Sequence, residues 1–264
     1  MKSIRVLYIV LTALVMTACS NVDEDDRYVY VKPAEVAKCV LIEDFTGQRC
    51  VNCPYATETI DSIIAQYGHD NIIAVGIHSG PFAKNPAGTS TYPLYTETGD
   101  YYYDLFGVSS QPSGMIDRHG VVNNYNLWPT LVYTYIQESA TIMLEATAEY
   151  DEDSRTAVIT IEAEGVEPTT GYLQVWVTED SIIGTQYMPD GSINKEYVHN
   201  HVFRATVNDR DGDAFSISTD EIVTATYTYA LEDEDWVAEN MHVVAFVYND
   251  DGVAQATSTT LTDE

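Results

Sequence analysis

The chain has 264 residues, with 12 Lys plus Arg against 41 Asp plus Glu and a formal charge of −29 at pH 7. That length allows one or two domains, and 45% hydrophobic with 20% charged residues is globular composition rather than disorder. The charge excludes nucleic-acid binding, which selects Lys/Arg surfaces, and electrostatic docking on anionic lipid. Tyr is abundant at 20 residues, against 6 Phe, and four Cys need an account.

The N-terminus reads as an address. Lys2 and Arg5 precede an uncharged, mostly apolar run, Val6 to Ala18. It is shorter than the ~20 residues of a spanning helix and fits a signal-peptide h-region. Met16-Thr17-Ala18-Cys19 resembles a bacterial lipobox, with Met where Leu is usual. The resemblance implies cleavage before Cys19 and diacylglycerol on its sulfur, a stable anchor once several acyl chains are attached. Ser20 to Asp26 is an acidic tether. It resembles the export tags of surface lipoproteins in Bacteroidetes-type bacteria, which favours the outer face of the outer membrane over the periplasm-facing one.

Residues 38–138 alternate strand and helix signals, which predicts an α/β layer. Val40-Leu41-Ile42 with Phe45 is a short strand ended by Gly47. Ile60, Ile63, Ile64 and Tyr67 fall at helical spacing over 56–67, and Gly68 stops the helix. Ile72 to Ile77 is a second buried strand. Residues 80–106 read as an insertion, helical near Tyr95–Phe106. Leu127 to Gln137 is a last helix with Pro129 in its first turn.

From residue 139 to 264 the periodicity becomes 2. Strands are expected at 141–150, 157–163, 172–178, 197–207, 214–218, 223–230, 242–248 and 254–261, divided by turns such as Asp190-Gly191 and Asp250-Asp251-Gly252. That pattern predicts an all-β, immunoglobulin-like sandwich. Residues 172–178 and 242–248 are apolar on both faces and read as central strands. Residues 19–137 hold 6 basic against 14 acidic side chains, and residues 138–264 hold 4 against 27. The acidity therefore belongs mainly to the second region.

Chemistry concentrates in Cys50-Val51-Asn52-Cys53, a C-x-x-C at a strand-to-helix junction. Helix N–H groups and the helix dipole stabilise a thiolate there, and the second thiol can resolve a mixed disulfide. A structural disulfide is the alternative. A zinc site lacks a second half, and no metal is expected. Asp44 lies six residues before Cys50, and Pro112 opens a later strand followed by Asp117-Arg118-His119-Gly120. These three features, in this order, resemble thioredoxin. The resemblance implies a thioredoxin-like fold with Cys50 as nucleophile, Cys53 as resolving thiol, Asp44 as proton relay and Pro112 as groove former. Arg49 stands where thioredoxin has Trp, and Val51-Asn52 replaces Gly-Pro. Arg49 and His78 are candidates for tuning the thiolate, and Cys39 reads as buried or idle.

Glu43-Asp44-Phe45-Thr46-Gly47, the Cys50–Pro54 motif, Gly76-Ile77-His78, Val198–Arg204 and Val243–Tyr248 together resemble a family of Bacteroidetes outer-membrane lipoproteins related to 28-kDa outer-membrane proteins. Members join a thioredoxin-like domain to a β-sandwich, and the likeness covers Lys38 to Leu261. It implies an outer-membrane lipoprotein on the cell surface or facing the periplasm. Partners would be the membrane, through the anchor, and an unidentified protein or peptide. No cofactor is expected beyond a redox-active Cys50–Cys53 disulfide. Thiol–disulfide exchange on envelope or surface proteins is the first functional expectation. A surface binding or adhesion module, with the first domain as scaffold, is the alternative.

Weaker signals read as structure. His199 and His201 form an H-x-H pair without a placed third ligand. Asp209, Asp211, Asp213 and Asp220 have calcium-loop offsets but lack the required Gly, so a hairpin turn is expected. Asp61-Ser62-Ile63 and Asp180-Ser181-Ile182 resemble short O-glycosylation sequons. Tyr101–Tyr103 are either a contact patch or packing.

Overall fold

Hydrophobic runs of four to seven residues near the start of the fold and period-2 patterns later give a β-rich architecture with mixed sheets and three α-helices among the described residues. The computed structural model describes residues 36–85 and 92–262, so the signal peptide, Cys19 and nearly all of the tether lie outside the described residues. In chain order the elements are β1 (Val40–Thr46), α1 (Cys53–Tyr67), β2 (Ile72–His78), α2 (Glu97–Leu105), β3 (Ser113–Ile116), β4 (Asn123–Asn124) and α3 (Trp128–Tyr135). Eight further strands and a hairpin between them follow among the described residues: β5 (Ile142–Asp151), β6 (Thr156–Gly165), β7 (Thr169–Glu179), β8 (Ile182–Tyr187), β9 (Ile193–His199), β10 (Val202–Thr206), β11 (Asp213–Ile217), β12 (Ile222–Ala230), β13 (Met241–Asn249) and β14 (Gly252–Thr260). Among the described residues no helix is long and apolar enough to cross a membrane.

β1 and β2 pair in parallel, joined by the right kind of crossover, a helix, and β3 adds antiparallel to β1. The sheet does not stop there. Val202 of β10 bridges Gly76 of β2, and β10 pairs in turn with β7. One 9-stranded sheet therefore runs β14-β13-β7-β10-β2-β1-β3-β4, with β11 also on β7. β12-β6-β5 form a separate sheet, and β8 with β9 form a third, two-stranded one.

Three apolar clusters explain the layers. Val40, Ile42, Ile72 and Ala74 face Ile60, Ile63 and Ile64 of α1 and Trp128 and Val132 of α3. The opposite face of β1 and β2 puts Leu41, Phe45, Val75 and Ile77 in a cluster with Tyr102, Trp176, Phe203 and Phe246. Odd-numbered residues of β7 and β13, such as Val175 and Val243, pack on Ile159 and Ile161 of β6. β7 and β13 are thus buried on both faces, as their two-sided apolar pattern predicts.

Two elements differ from the sequence expectation. The strand expected over 197–207 is broken: His201 adopts φ 58°, and β9 and β10 belong to different sheets. Asn and His tolerate this left-handed conformation better than most residues. The other is β8, which the periodicity did not signal.

Candidate functional site

β1 ends at Thr46, and Gly47 allows the turn that follows. A Cβ there would stand 2.6 Å from the backbone carbon of Phe82. The chain then closes on itself, with Cys50 N–H donating to Gly47 O at 2.9 Å. Pro54 occupies the first turn of α1, where its missing N–H is harmless. Cys50 and Cys53 are joined by a disulfide at this helix start. Helix N–H groups and the dipole would favour a thiolate once the bond is reduced.

The other sequence-derived residues fall as follows. The Gln111–Pro112 peptide is cis. Gln111 Nε2 donates to Thr46 O at 2.7 Å and Ser79 O at 3.1 Å, tying the Pro112 loop to the ends of β1 and β2. Asp44 is 3% exposed on β1, and burial pushes its carboxyl up to about 8. His78, at the end of β2, is also buried, and burial pulls its imidazole well below its usual range. The Arg49 guanidinium donates to Pro81 O and Lys84 O, which holds the segment after β2 against the motif loop. Cys39 is a free, buried thiol that burial pushes up to about 12, so it stays protonated.

A cover over the disulfide is the feature that sequence reasoning missed. Cys50 and Cys53 are each only 2% exposed. The tip end of the β8–β9 hairpin lies against the motif loop. Tyr187 N–H donates to Gln48 O at 2.9 Å, Gln48 Nε2 to Thr185 O at 2.9 Å and Gln186 Nε2 to Cys50 O at 2.9 Å. The signal was present in Pro189-Asp190-Gly191 between two polar-apolar segments. Nothing local, however, indicates where such a hairpin docks.

The base of the same hairpin carries Tyr197 and His199. His199 is separated from His201, which instead contacts Asp180 through Nδ1 at 3.3 Å. His199 faces His78, with ring centroids 5.3 Å apart, edge to face. Asp44, His78, His199 and Cys53 all line one small chamber of about 40 Å³ between α1 and the hairpin.

The remaining candidates are structural. Tyr102 is buried, donates to Arg210 O and accepts from Trp176 Nε1 at 3.2 Å. Asp209 and Asp213 accept hydrogen bonds from Asp211 N–H and Tyr227 Oη in a turn. No set of three or more His, Cys, Asp or Glu among the described residues is arranged to hold a metal ion. Ser62 lies within α1 and donates to Glu58 O.

The chain is similar in fold to HBP35 of Porphyromonas gingivalis, at 15% identity and a TM-score of 0.66, over 86% of this chain and 76% of that one. It is also similar to a protein from Agrobacterium tumefaciens, at 14% identity and a TM-score of 0.53, over 88% of this chain and 98% of that one. At these identities the likeness is one of fold alone. No curated protein matches the sequence. A family model described as outer membrane protein Omp28 matches residues 99–263, which excludes the disulfide loop but spans more than half of the chain. The chain therefore belongs to the outer membrane protein Omp28 family.

Proposed function

We propose that this outer membrane protein carries a thioredoxin-like site for thiol–disulfide exchange with envelope or surface proteins, covered at rest by the β8–β9 tip. The observation that carries the reading is the chemistry gathered behind the disulfide. A buried Asp44 carboxyl lines the same chamber as Cys53 at the start of α1. A disulfide that only staples a scaffold has no use for a buried carboxyl without a counter-ion, which disfavours folding. In this reading Cys50 is the nucleophile, Cys53 the resolving thiol, Asp44 the proton donor and Pro112 the groove former. Arg49 and His78 act as tuning residues, Arg49 by fixing the loop and His78 by its place on the chamber.

The same reading divides the mature chain into an acidic tether over 19–37, a thioredoxin-like domain over 38–138 with the 80–106 insertion, and an immunoglobulin-like sandwich over 139–264. Cys19 would hold it by lipid, facing outward. Burial of Cys50 favours a second reading, in which the first domain is a scaffold and the stacked sheets bind a surface partner. Insulin reduction by the full mature chain, compared with Cys50→Ala, decides between them. Turnover lost in Cys50→Ala supports exchange. Equal rates in the two proteins overturn it.

A further inference from the structure

Three residues that line the chamber each carry a buried side-chain atom with no protein hydrogen-bond partner: Asp44 Oδ1, His78 Nδ1 and His199 Nε2. Each residue is at least nine-tenths buried, at 3, 4 and 5% exposure. An unsatisfied buried polar atom costs roughly 1–3 kcal/mol, so three facing one space point to a polar occupant. A space of about 40 Å³ suits water and is too small for an organic ligand. Thr185 O accepts from the His199 ring, and because Nε2 is the unpartnered nitrogen, that donor is Nδ1. His199 Nε2 is therefore a bare acceptor on a residue that lines the chamber, with its tautomer fixed by the backbone.

The chamber also has a way out. Its lining includes exposed Asp61 on α1 and exposed Asn200 after β9. The titratable groups facing Asp44 are His78 from β2, Tyr197 and His199 from the hairpin, Cys53 and Asp61 from α1, and His201 beyond β9. We propose that His199 and His78, through water in this chamber, pass protons between solvent and Asp44. The inference rests on the exchange reading above and adds two positioning residues to it.

The step balances with a substrate dithiol as reductant. Its thiolate attacks Cys50 Sγ, an S–S bond forms to the substrate, and the Cys50–Cys53 bond breaks. The electron pair stays on Cys53 Sγ, which takes the proton from Asp44. The carboxylate left behind is buried and must regain a proton from solvent, by way of chamber water held by the two neutral imidazoles. The second substrate thiolate then releases Cys50 and completes the substrate disulfide. His199 can serve while the cover moves, because it lies at the hairpin base beside β10, whereas Gln186 and Tyr187 lie near the tip.

The test is 13C NMR of the Asp44 carboxyl across pH 6–10 in the full mature chain with the disulfide intact. Wild type should give one averaged resonance. His199→Phe and His78→Phe keep ring volume and remove the nitrogens. Each should split the Asp44 signal into two slowly exchanging resonances, and His199→Gln should restore averaging. Unchanged line shape and midpoint in both Phe variants would overturn the relay. If a Phe variant does not fold, the His199 Nε2 15N shift in wild type decides instead. It should move through the Asp44 midpoint, and an indifferent Nε2 rejects the proposal. In the turnover assay the Phe variants should lose about tenfold in kcat with KM unchanged. Absence of turnover in wild type would sink the exchange reading alone, because the NMR result is independent of it.

Discussion

The α/β region around β1 and the stacked sheets around β6 solve opposite problems. Behind β6 the core is apolar: Ile159, Ile161, Val175, Val243 and Ala245 pack together, with the buried Tyr229 hydroxyl at the same cluster. Around β1 the interior holds Lys38, Glu43, Asp44, Gln48, His78 and Asp117, all buried. The second region puts its excess acid on the surface, where it keeps the body soluble. The first region puts Asp44, His78 and Asp117 where burial shifts them. A fold can be secured by apolar stacking alone, so on the exchange reading proposed above the polar interior of the α/β region is where chemistry is prepared.

The largest test of that contrast is the Glu43–Arg118 pair. Arg118 Nη2 lies 2.9 Å from Glu43 Oε1, both fully or nearly buried, and the guanidinium sits 4.3 Å from the Tyr248 ring and 4.7 Å from the Phe246 ring on β13. Arg118→Met strands a buried carboxylate and should destabilise by about 3–5 kcal/mol in urea unfolding. The double variant Glu43→Gln/Arg118→Met should recover part of that loss. A single variant within 1 kcal/mol of wild type would mean that the polar interior is not under the constraint described.

Asp44 gives a smaller, pH-dependent effect. Its folded-state value of about 8 stands above the 3.8 of an ordinary Asp because of burial. Below about 3.8 the group is neutral in folded and unfolded chain alike. Between there and about 8 the unfolded chain releases its proton and the folded one keeps it, so stability falls as pH rises through that window. Asp44→Asn should remove this slope and stabilise the protein by about 1–3 kcal/mol at pH 8.5, with little change at pH 4. Parallel pH–stability curves for the two proteins would show that Asp44 does not titrate from a buried site.

How much of this was legible in sequence depends on distance along the chain. The β1–α1–β2 unit was readable because Val40–Ile42, Ile60–Ile64 and Ile72–Ile77 carry their own periods and Gly68 its own stop. The two-sided burial of β7 was readable because Leu173 to Val177 alternate between two apolar sets. Cys50 and Cys53 could be nominated from spacing, and Asp44 and Pro112 from the resemblance to thioredoxin, whereas their cover could not. Gln186 meets Cys50 across 136 residues, and Arg118 meets Glu43 across 75. Neither contact leaves a local pattern. The continuation of the sheet from β2 to β10 was hidden for a further reason. It hangs on one bridge, Val202 to Gly76, at a chain reversal set by the left-handed His201.

The smallest stability effect should carry the clearest functional readout. Gln186 and Gln48 hold the hairpin tip with side-chain amides, one to Cys50 O and one to Thr185 O. Replacing both by Ala removes the two hydrogen bonds that join tip and motif loop, each worth about 0.5–1.5 kcal/mol net, along with Gln186 Nε2 to Tyr187 O and Leu94 N–H to Gln48 Oε1. The hairpin has no place in either larger sheet, so most of that loss should appear as local opening rather than global unfolding. Roughly 1 kcal/mol raises the open population about fivefold, and reduction of the Cys50–Cys53 disulfide by dithiothreitol should accelerate by the same factor. The melting temperature should move by only a few degrees. A reduction rate equal to wild type would mean that the sulfurs are reached without moving the tip. The apolar region would then be only a neighbour of the polar one, since the hairpin that springs from it would not govern access to the disulfide.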